Sequence, residues 1–408
     1  MKQVAALIST YSSDEFGVCS ALYELGGMVV MHDASGCNST YTTHDEPRWY
    51  DMDSMIYISA ISEMEAIMGD DEKLINDITE TAAELHPKFI AVVGAPIPYM
   101  IGTDFQAIAE ILEHKTGVPC FGFEANGMDH YTRGISMALE AIVDRFALTG
   151  KENSASAAYD SSADGAAPRE ARSGAVVNLL GATPLDFSLN GSIESIEIWL
   201  EKNGFKTGAS IAMGCSLEDI SRAGEADLNL VLSYGGLAAA RLLEKRFGTP
   251  YVVGIPVGAE FAAHLAGRMR GAIETGKSLS SYMDIPAPEE GGAGWIAAVG
   301  ESVYQASVAA AAAMEQGVDI RVLCPLDTDD MLMRPQDRLT PEEDDIMEAI
   351  KEEGCRGFMA DPMYRPLLPQ GLTFYALPHE AFSGRIYDSV NPNLIDRPLA
   401  ESLYDFRK

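Results

Sequence analysis

Short apolar runs alternate with stretches of helical periodicity along most of the chain. Residues 28–31, 89–93 and 120–123 are runs of mainly valine, isoleucine, methionine and phenylalanine. Runs of this length predict buried strands. Residues 73–85 lie between the first two runs and place apolar side chains at a spacing of about 3.6 residues, which predicts a helix. Because strand, helix and strand follow one another, we expect right-handed crossovers and parallel sheets.

The same alternation predicts further elements on both sides of this stretch. The first region is expected to begin with a strand at 4–8 and an amphipathic helix at 15–25, and to contain a helix at 105–115. The other predicted strands are 175–180, 210–212, 228–232, 251–253, 295–299, 320–323, 358–360 and 374–377. The other predicted helices are 192–203, 237–247, 303–316 and 341–353.

A change in composition divides the chain. Residues 151–172 are rich in alanine, serine, aspartate, glutamate and glycine, which predicts a flexible linker. The fold class that we predict is α/β, with three Rossmann-like domains of parallel sheets around a central cleft. The predicted domains are 1–150, 173–290 and 291–408, and the segment 286–294 is a predicted hinge between the last two.

Charge and hydropathy limit the partners and the compartment. The chain has 29 basic and 61 acidic residues and a formal net charge of −32, so its surface repels phosphate backbones and nucleic acid is not an expected partner. The simplest role of this net negative charge is to keep the protein soluble. The alternative is that the charge steers a basic partner protein towards this surface. Apolar stretches fall short of the roughly 18 residues that span a bilayer, and the N-terminus lacks a secretory pattern. We therefore predict a cytoplasmic protein without a membrane partner.

The cysteines are isolated from one another. Their spacing excludes a zinc ribbon and a ferredoxin-type run, and a disulfide framework is not expected in a chain of this length without a secretory signal. The sequence also lacks the dinucleotide and P-loop glycine patterns, a Ser-His-Asp order and an H-E-x-x-H motif. The six cysteines are Cys19, Cys37, Cys120, Cys215, Cys324 and Cys355.

A set of segments in a fixed order resembles a known family. The turn His32-Asp33-Ala34-Ser35-Gly36-Cys37 follows the apolar run at 28–31. Further segments follow in order: Gly69 to Leu74, Ala95-Pro96, Ile101 to Asp104, Gly117 to Pro119, Asn126-Gly127, Tyr131 to Gly134, Leu228 to Val231, and Arg246 to Tyr251. This order is similar to that of the nitrogenase component 1 family, which includes the molybdenum–iron protein subunits and related enzymes of tetrapyrrole biosynthesis. The resemblance is clear to about residue 255 and faint beyond it, through Ser383-Gly384.

The resemblance implies an iron–sulfur cluster, with [4Fe-4S] as the expected type, at a subunit interface. In the family, an H-G-x-x-G-C turn supplies a cluster ligand, and Cys37 stands at that position, with His32 and Gly36 in the same turn. Thiolates bind such clusters routinely, and a flanking glycine lets backbone N–H groups approach the sulfides.

The chain departs from the family at the other cluster positions. Family members with the large interface cluster supply three cysteines, and here Ser12-Ser13 and Ala95 occupy the other two positions. One thiolate per chain cannot hold a cubane, so a twofold-related copy or a homologous second subunit would complete it. Asp33, Ser12 and Cys19 are weaker candidate metal ligands. The alternatives are a turn residue at Asp33 and core packing at Cys19.

The positions of the catalytic cofactor are also altered. Ser233 stands where the nitrogenase catalytic subunit has a cysteine, and no histidine follows the segment Ser383 to Tyr387. An iron–molybdenum cofactor and dinitrogen reduction are therefore not expected. His379, Arg385 and Ser233 are candidates to line the cleft, where a histidine and an arginine can donate protons or bind an anion. The alternative is that His379 and Arg385 belong to an ordinary surface loop.

The resemblance implies one function, and the departures suggest two alternatives. The first function is a nitrogenase-like oxidoreductase component 1 subunit, in a homodimer or with a homologous second subunit. It would accept electrons from an ATP-dependent iron–sulfur reductase and reduce an unknown substrate other than dinitrogen. The first alternative is a non-catalytic scaffold or carrier that binds a metallocluster precursor, a tetrapyrrole or another small molecule. The second is a metal-free α/β binding protein.

Overall fold

In a computed structural model, the described part of the chain forms three parallel β-sheets. The predicted α/β class with parallel sheets is confirmed, because every pairing between named strands is parallel. The structure describes residues 7–34, 36, 38–41, 45–148, 174–288, 294–384 and 391–407. The predicted linker at 151–172 and most of the predicted hinge lie outside this range, so the domain boundaries stay a prediction.

The first sheet has the strand order β2-β1-β3-β4. Its strands are β1 Met28–Met31, β2 Met55–Ile58, β3 Ile90–Val93 and β4 Cys120–Phe123. The helices of this region are α1 Asp14–Leu22, α2 Glu63–Met68, α3 Glu72–Leu85, α4 Pro96–Ile101, α5 Phe105–Thr116 and α6 Tyr131–Phe146. The helix predicted at 73–85 is confirmed as α3, whose buried residues are the periodic ones.

Two predictions for the N-terminal segment are wrong in part, at the residues that the structure describes. Of the strand predicted at 4–8, residues 4–6 lie outside the described range, and Leu7 and Ile8 form no strand. Their backbone N–H groups instead donate to the Glu343 carboxylate at 3.0 and 2.8 Å. The helix predicted at 15–25 is present as α1, but it is not amphipathic. All nine of its residues are buried, so it has no solvent-exposed face.

The second sheet has the order β6-β5-β7-β8-β9. Its strands are β5 Ala175–Leu180, β6 Phe205–Ile211, β7 Leu228–Val231, β8 Tyr251–Val253 and β9 Leu279–Ser280. The helices of this region are α7 Pro184–Phe187, α8 Ser192–Lys202, α9 Leu217–Ser221, α10 Leu237–Phe247 and α11 Ala259–Thr275. The strand predicted at 210–212 is longer than expected, because the first half of β6 carries exposed positions that lower its apolar content.

The third sheet has the order β12-β11-β10-β13-β14. Its strands are β10 Trp295–Val299, β11 Ile320–Cys324, β12 Arg338–Leu339, β13 Cys355–Ala360 and β14 Thr373–Ala376. The helices of this region are α12 Ser302–Gln316, α13 Glu343–Ala349 and α14 Leu399–Ser402. The helix predicted at 341–353 is shorter than expected, because turns that lead to Gly354 follow α13. Within the described ranges, the helices lack the length and apolarity needed to cross a membrane.

Helices α1 and α6 pack with almost no space between their backbones. A Cβ placed on Gly134 of α6 would lie 1.8 Å from the backbone oxygen of Asp14, and one on Gly17 of α1 would lie 2.0 Å from that of Tyr131. A side chain at either position would therefore push the two helices apart. This contact fixes Glu15 and Tyr131, two side chains of the sites described below.

Gly134→Ala is expected to lower the free energy of unfolding by about 1–3 kcal/mol, because the extra methyl group meets backbone that cannot move freely. Gly271→Ala in α11 is the matched control, since in the described part of the chain no atom lies within 4 Å of its Cβ position. That control is expected to stabilise the protein by about 0.5–1 kcal/mol. Denaturant unfolding measures both, and equal effects of the two substitutions would contradict the packing argument.

Candidate functional site

The carboxyl ends of the second and third sheets face a cluster of polar side chains. The strand order reverses between β5 and β7 and between β10 and β13. Ligands of open α/β sheets bind outside such strand ends. Asp186 follows β5, Glu301 follows β10, and His379 follows β14. Together with Tyr304, these three line a cavity of about 10 Å³. We call this space the inner cavity, and it holds at most about one water molecule.

A tyrosine, a histidine and an aspartate form a network beside the inner cavity. The Tyr131 hydroxyl donates to Asp186 Oδ1 at 2.5 Å. His379 Nε2 lies 3.0 Å from that hydroxyl and 3.1 Å from the same carboxylate oxygen. The His379 backbone N–H donates to Asp361 Oδ2 at 2.8 Å, which fixes the loop. Burial, and then the charge of Asp186, raise the pKa of Tyr131 well above its ordinary value, so Tyr131 stays a hydrogen-bond donor.

Glu301 is a buried acid that can exchange a proton near neutral pH. Its Oε2 accepts from the Tyr304 N–H at 2.8 Å and caps α12, while its Oε1 accepts from the Tyr234 N–H at 2.9 Å. Burial, and then the charge of Asp186, raise the pKa of Glu301 to about 7. The side chain therefore stabilises the helix and also holds a proton that it can give to a group in the inner cavity.

Two other cleft candidates lie elsewhere. Ser233 is buried, and its hydroxyl donates to the Gly181 carbonyl at 2.8 Å, away from the wall of the inner cavity. Arg385 lies outside the described residues. His379 has a side chain that is 12% exposed, and it lies in the cavity wall.

A larger cavity of about 480 Å³ lies where α1 meets the loops of the first and third sheets. We call it the outer cavity. Its wall includes Ser13, Asn38 and Pro96. These residues stand at, or next to, all three positions that the family resemblance assigns to cluster cysteines. Cys37 itself lies outside the described residues, so its role as a ligand stays a prediction.

Buried polar atoms in the outer cavity lack partners. Glu15 is 3% exposed and Asn38 is 1% exposed. Glu15 Oε2 and both amide atoms of Asn38 have no hydrogen-bond partner within the described ranges. Burial, and then neighbouring Asp14, raise the pKa of Glu15 to about 8. Asp14 is better satisfied, because its carboxylate accepts the backbone N–H groups of Asn126 and Gly127 at 2.9 and 2.8 Å.

The described wall of the outer cavity does not by itself fit an iron–sulfur cluster. Such clusters need soft thiolate ligands, whereas the described wall offers hydroxyl, amide and carboxylate groups, the His130 imidazole and the Met128 thioether. Cys19 lies in the core, and burial raises its pKa well above the ordinary value, which keeps the thiol protonated. Within the described part of the chain, no three histidine, cysteine, aspartate or glutamate side chains converge to hold a metal ion.

The remaining turn candidates also lie outside the wall of the outer cavity. His32 is buried, its Nδ1 lies 2.8 Å from the Ser59 hydroxyl, and burial lowers its pKa to about 4. Asp33 is buried, and its backbone N–H donates to the same hydroxyl at 3.2 Å. Gly36 is exposed with open space at its Cβ position. Ser12 is buried beside Ser13, and its hydroxyl has no partner among the residues described.

Of the main chemical groups at the two cavities, His379 is a predicted site residue, whereas Asp186, Glu301, Tyr131 and Glu15 are not. For Asp186 and Glu301 a usable signal exists, since both are carboxylates that closely follow predicted strands. Tyr131 was noted only as part of a motif. Glu15 carried no distinguishing signal, because an acid near a helix N-terminus is ordinary.

Removing the Glu15 acid is expected to flatten the pH dependence of stability. The folded-state pKa of about 8 exceeds the ordinary glutamate value of about 4.3. The folded protein therefore binds this proton more tightly than the unfolded chain does. The resulting stabilisation is complete below pH ~4.3 and is lost as pH rises through ~8, at up to about 1.4 kcal/mol per pH unit.

Urea unfolding of the wild type and Glu15→Gln between these pH values measures the effect. The stability of the wild type relative to the variant should fall as pH rises. Glu110→Gln, at an exposed position of α5, is the control and should give a constant difference. A constant difference for Glu15→Gln as well would contradict the burial of a protonated acid.

Comparison with known proteins identifies the family of this chain. The sequence profile of the family described as nitrogenase component 1 type oxidoreductase matches residues 15–287, about two thirds of the chain. The chain belongs to this family. The fold agrees as well, because the solved structure of nitrogenase Cp1 at pH 5 superposes with a TM-score of 0.62 at 16% identity. That superposition covers 94% of this chain and 86% of the other.

The curated relatives of this chain share low sequence identity with it. The cofactor biosynthesis protein NifE of Clostridium pasteurianum is 30% identical over 194 residues, which is 47% of this chain and 38% of the relative. The nitrogenase molybdenum–iron protein alpha chain of the same organism is 23% identical over 57% of this chain and 38% of its own. A subunit of the light-independent protochlorophyllide reductase of Nostoc punctiforme is 26% identical over 47% of this chain and 36% of its own. The matches therefore span well under half the length of each relative.

Proposed function

We propose that the chain is the substrate-reducing subunit of a two-component, nitrogenase-like oxidoreductase. It accepts electrons from an ATP-dependent iron–sulfur reductase and reduces an unknown substrate other than dinitrogen. The observation that carries the proposal is Glu301, a buried acid with a pKa of about 7 in the wall of the inner cavity. A reduction needs protons as well as electrons, and an acid with a pKa near the working pH is the best donor.

The neighbours of Glu301 support its role as the proton donor. Tyr131 and His379 hold Asp186 Oδ1 from two sides, so the charge of Asp186 stays fixed in the wall beside Glu301. A fixed negative charge in a buried wall keeps the pKa of Glu301 high. The inner cavity has room for about one water molecule, so a substrate can enter only after residues of its wall move.

The number of cysteine ligands that this chain can supply to a cluster determines which partner chains it needs. The resemblance assigns one cluster ligand, Cys37, to this chain, and the described wall of the outer cavity adds no further thiolate. A [4Fe-4S] cluster therefore needs thiolates from a second chain, either a copy in a homodimer or a homologous subunit.

A carrier function is the second candidate, and the outer cavity favours it. A volume of about 480 Å³ is in the range of small-molecule sites. The wall has oxygen atoms near positions where cluster-binding relatives would have sulfur. A scaffold or carrier for a metallocluster precursor, a tetrapyrrole or another small molecule would use this space without reducing its cargo.

Anaerobic purification with iron and sulfide assays and EPR tests the cluster and separates the two functions. The reductase function predicts iron and acid-labile sulfide that Cys37→Ala removes and that the control Cys120→Ala retains. A Cys37→Ala variant with unchanged cluster content would overturn the ligand assignment. A colourless wild-type protein that releases an organic molecule on denaturation would support the carrier function instead.

A further inference from the structure

The outer cavity has the shape and walls of a site for an organic molecule. Its volume of about 480 Å³ fits a compound the size of a small aromatic metabolite. Tyr11, Phe16 and Tyr364 supply aromatic surface, and Ile8, Pro96 and Met128 supply aliphatic surface. Walls of this kind bind an apolar body, and the polar groups among them orient it.

The polar groups of the wall are mostly acidic. Glu15, Asp129, Glu342 and Glu343 lie in the wall, and His130 is the one potentially basic side chain among its described residues. The imidazole of His130 lies 3.7 Å from a carboxylate oxygen of Asp327, which is outside this wall. The field in the cavity therefore repels anions and attracts cations.

Three of these acids, Asp129, Glu342 and Glu343, already have protein partners, whereas Glu15 Oε2 has no partner among the described residues. Asp129 pairs with Arg133 at 2.7 Å. Glu343 accepts the backbone N–H groups of Leu7 and Ile8. By contrast, Glu15 Oε2 finds no hydrogen bond among the residues that the structure covers, although Glu15 is 3% exposed.

Asn38 lies in the same wall, and both of its amide atoms lack partners in the described ranges although the residue is 1% exposed. Buried polar atoms in folded proteins almost always have partners, so unsatisfied atoms on two residues of one cavity wall point to a missing ligand. A carboxylate oxygen and an amide oxygen together accept the N–H groups of a cation.

We propose that the outer cavity binds an organic cation, with an ammonium or amidinium group held by Glu15 and Asn38 and an apolar body against Tyr11, Phe16 and Tyr364. A bare metal ion fits poorly, because no three suitable ligands converge within the described part of the chain. Aromatic faces also attract cations. Burial, and then Asp14, raise the pKa of Glu15, and a cation bound beside it would lower that pKa again.

The site does not depend on the proposed reductase activity. The proposed proton donor Glu301 lines the inner cavity, and the outer cavity has its own walls. Cation binding can fail while reductase-dependent turnover holds, and the reverse is also true.

Calorimetry on the full-length protein tests the proposal with three probes of one shape. The probes are 2-phenylethylamine, neutral 2-phenylethanol and anionic 3-phenylpropionate. The amine should bind at least about tenfold more tightly than either of the others, because it alone makes charge-assisted hydrogen bonds. Equal binding of the amine and the alcohol, or no binding of the amine, would overturn the proposal.

Two variants locate the site. Glu15→Gln keeps the shape of the protonated acid, and Asn38→Ala removes an amide that makes no hydrogen bond within the described residues, so both should fold. Each should weaken amine binding, by about tenfold for Glu15→Gln. The exposed control Glu110→Gln should leave binding unchanged. Amine binding that survives both wall variants would place the cation elsewhere and contradict the proposal.

Discussion

Replacing Glu301 with glutamine is expected to lower reductase-dependent turnover by about 10²–10⁴-fold, the usual contribution of a general acid. Glutamine keeps one oxygen, which can accept the Tyr304 N–H and preserve the α12 cap, whereas its NH2 group cannot accept the Tyr234 N–H. The substitution therefore removes the exchangeable proton and one hydrogen bond to Tyr234. The loss should therefore fall on the rate of reduction and leave the folded structure in place.

The stability of Glu301→Gln and the pH dependence of its turnover distinguish proton donation by Glu301 from a purely structural role as the cap of α12. If Glu301 only caps α12, Glu301→Gln should retain turnover. If it donates protons, the wild-type rate should fall as pH rises above about 7, where the acid ionises, and the residual rate of the variant should lack that limb. The control Glu110→Gln should match the wild type. Wild-type turnover by Glu301→Gln would remove the observation on which the proposed function depends.

Arg48→Ala is expected to lower the free energy of unfolding by about 3–5 kcal/mol, the cost of leaving a buried acid without its partner. Arg48 is 2% exposed and pairs with the buried Glu46 at 2.7 Å and with Glu24 at 2.8 Å. It also donates to the backbone oxygens of Ser20 and Ala212. This one side chain therefore joins α1 to a loop of the second region.

The exposed pair of Arg145 and Glu113 provides a matched control. The distance is also 2.7 Å, but the two side chains are 48% and 39% exposed. Arg145→Ala is therefore expected to cost only about 0.2–1 kcal/mol, because water screens the pair and solvates each partner. Guanidinium unfolding measures both variants, and similar losses would show that burial does not govern the strength of these pairs.

Local periodicity predicts most strands and several helices because burial repeats along each element, but strand β2 and the two longest described helices, α6 and α11, were not predicted. The α3 helix has buried residues on one face, and the sequence alone revealed it. The α1 helix is buried on every side, so no exposed face marks its orientation in the sequence. Its packing could therefore not be predicted from its own residues. The close contact between Gly17, Gly134 and the opposing backbones also depends on both helices together.

The inner cavity could be predicted only in part. His379 was proposed for the cleft, but its partners Asp186 and Tyr131 are 193 and 248 residues away along the chain. No pattern within a short stretch of sequence indicates that these three side chains contact one another. Similarly, the resemblance assigns cluster positions that border the outer cavity, whereas the wall of that cavity forms only when the first and third regions come together.

Electron transfer from the reductase is the most direct test of the proposed function. The ATP-dependent iron–sulfur reductase of the same organism would be reduced, mixed anaerobically with the protein, and followed by the absorbance of its own cluster. The proposed function predicts rapid oxidation of the reductase that requires both this protein and MgATP, and that stops when MgADP replaces MgATP. A reductase that stays reduced in the presence of the protein and MgATP would contradict it.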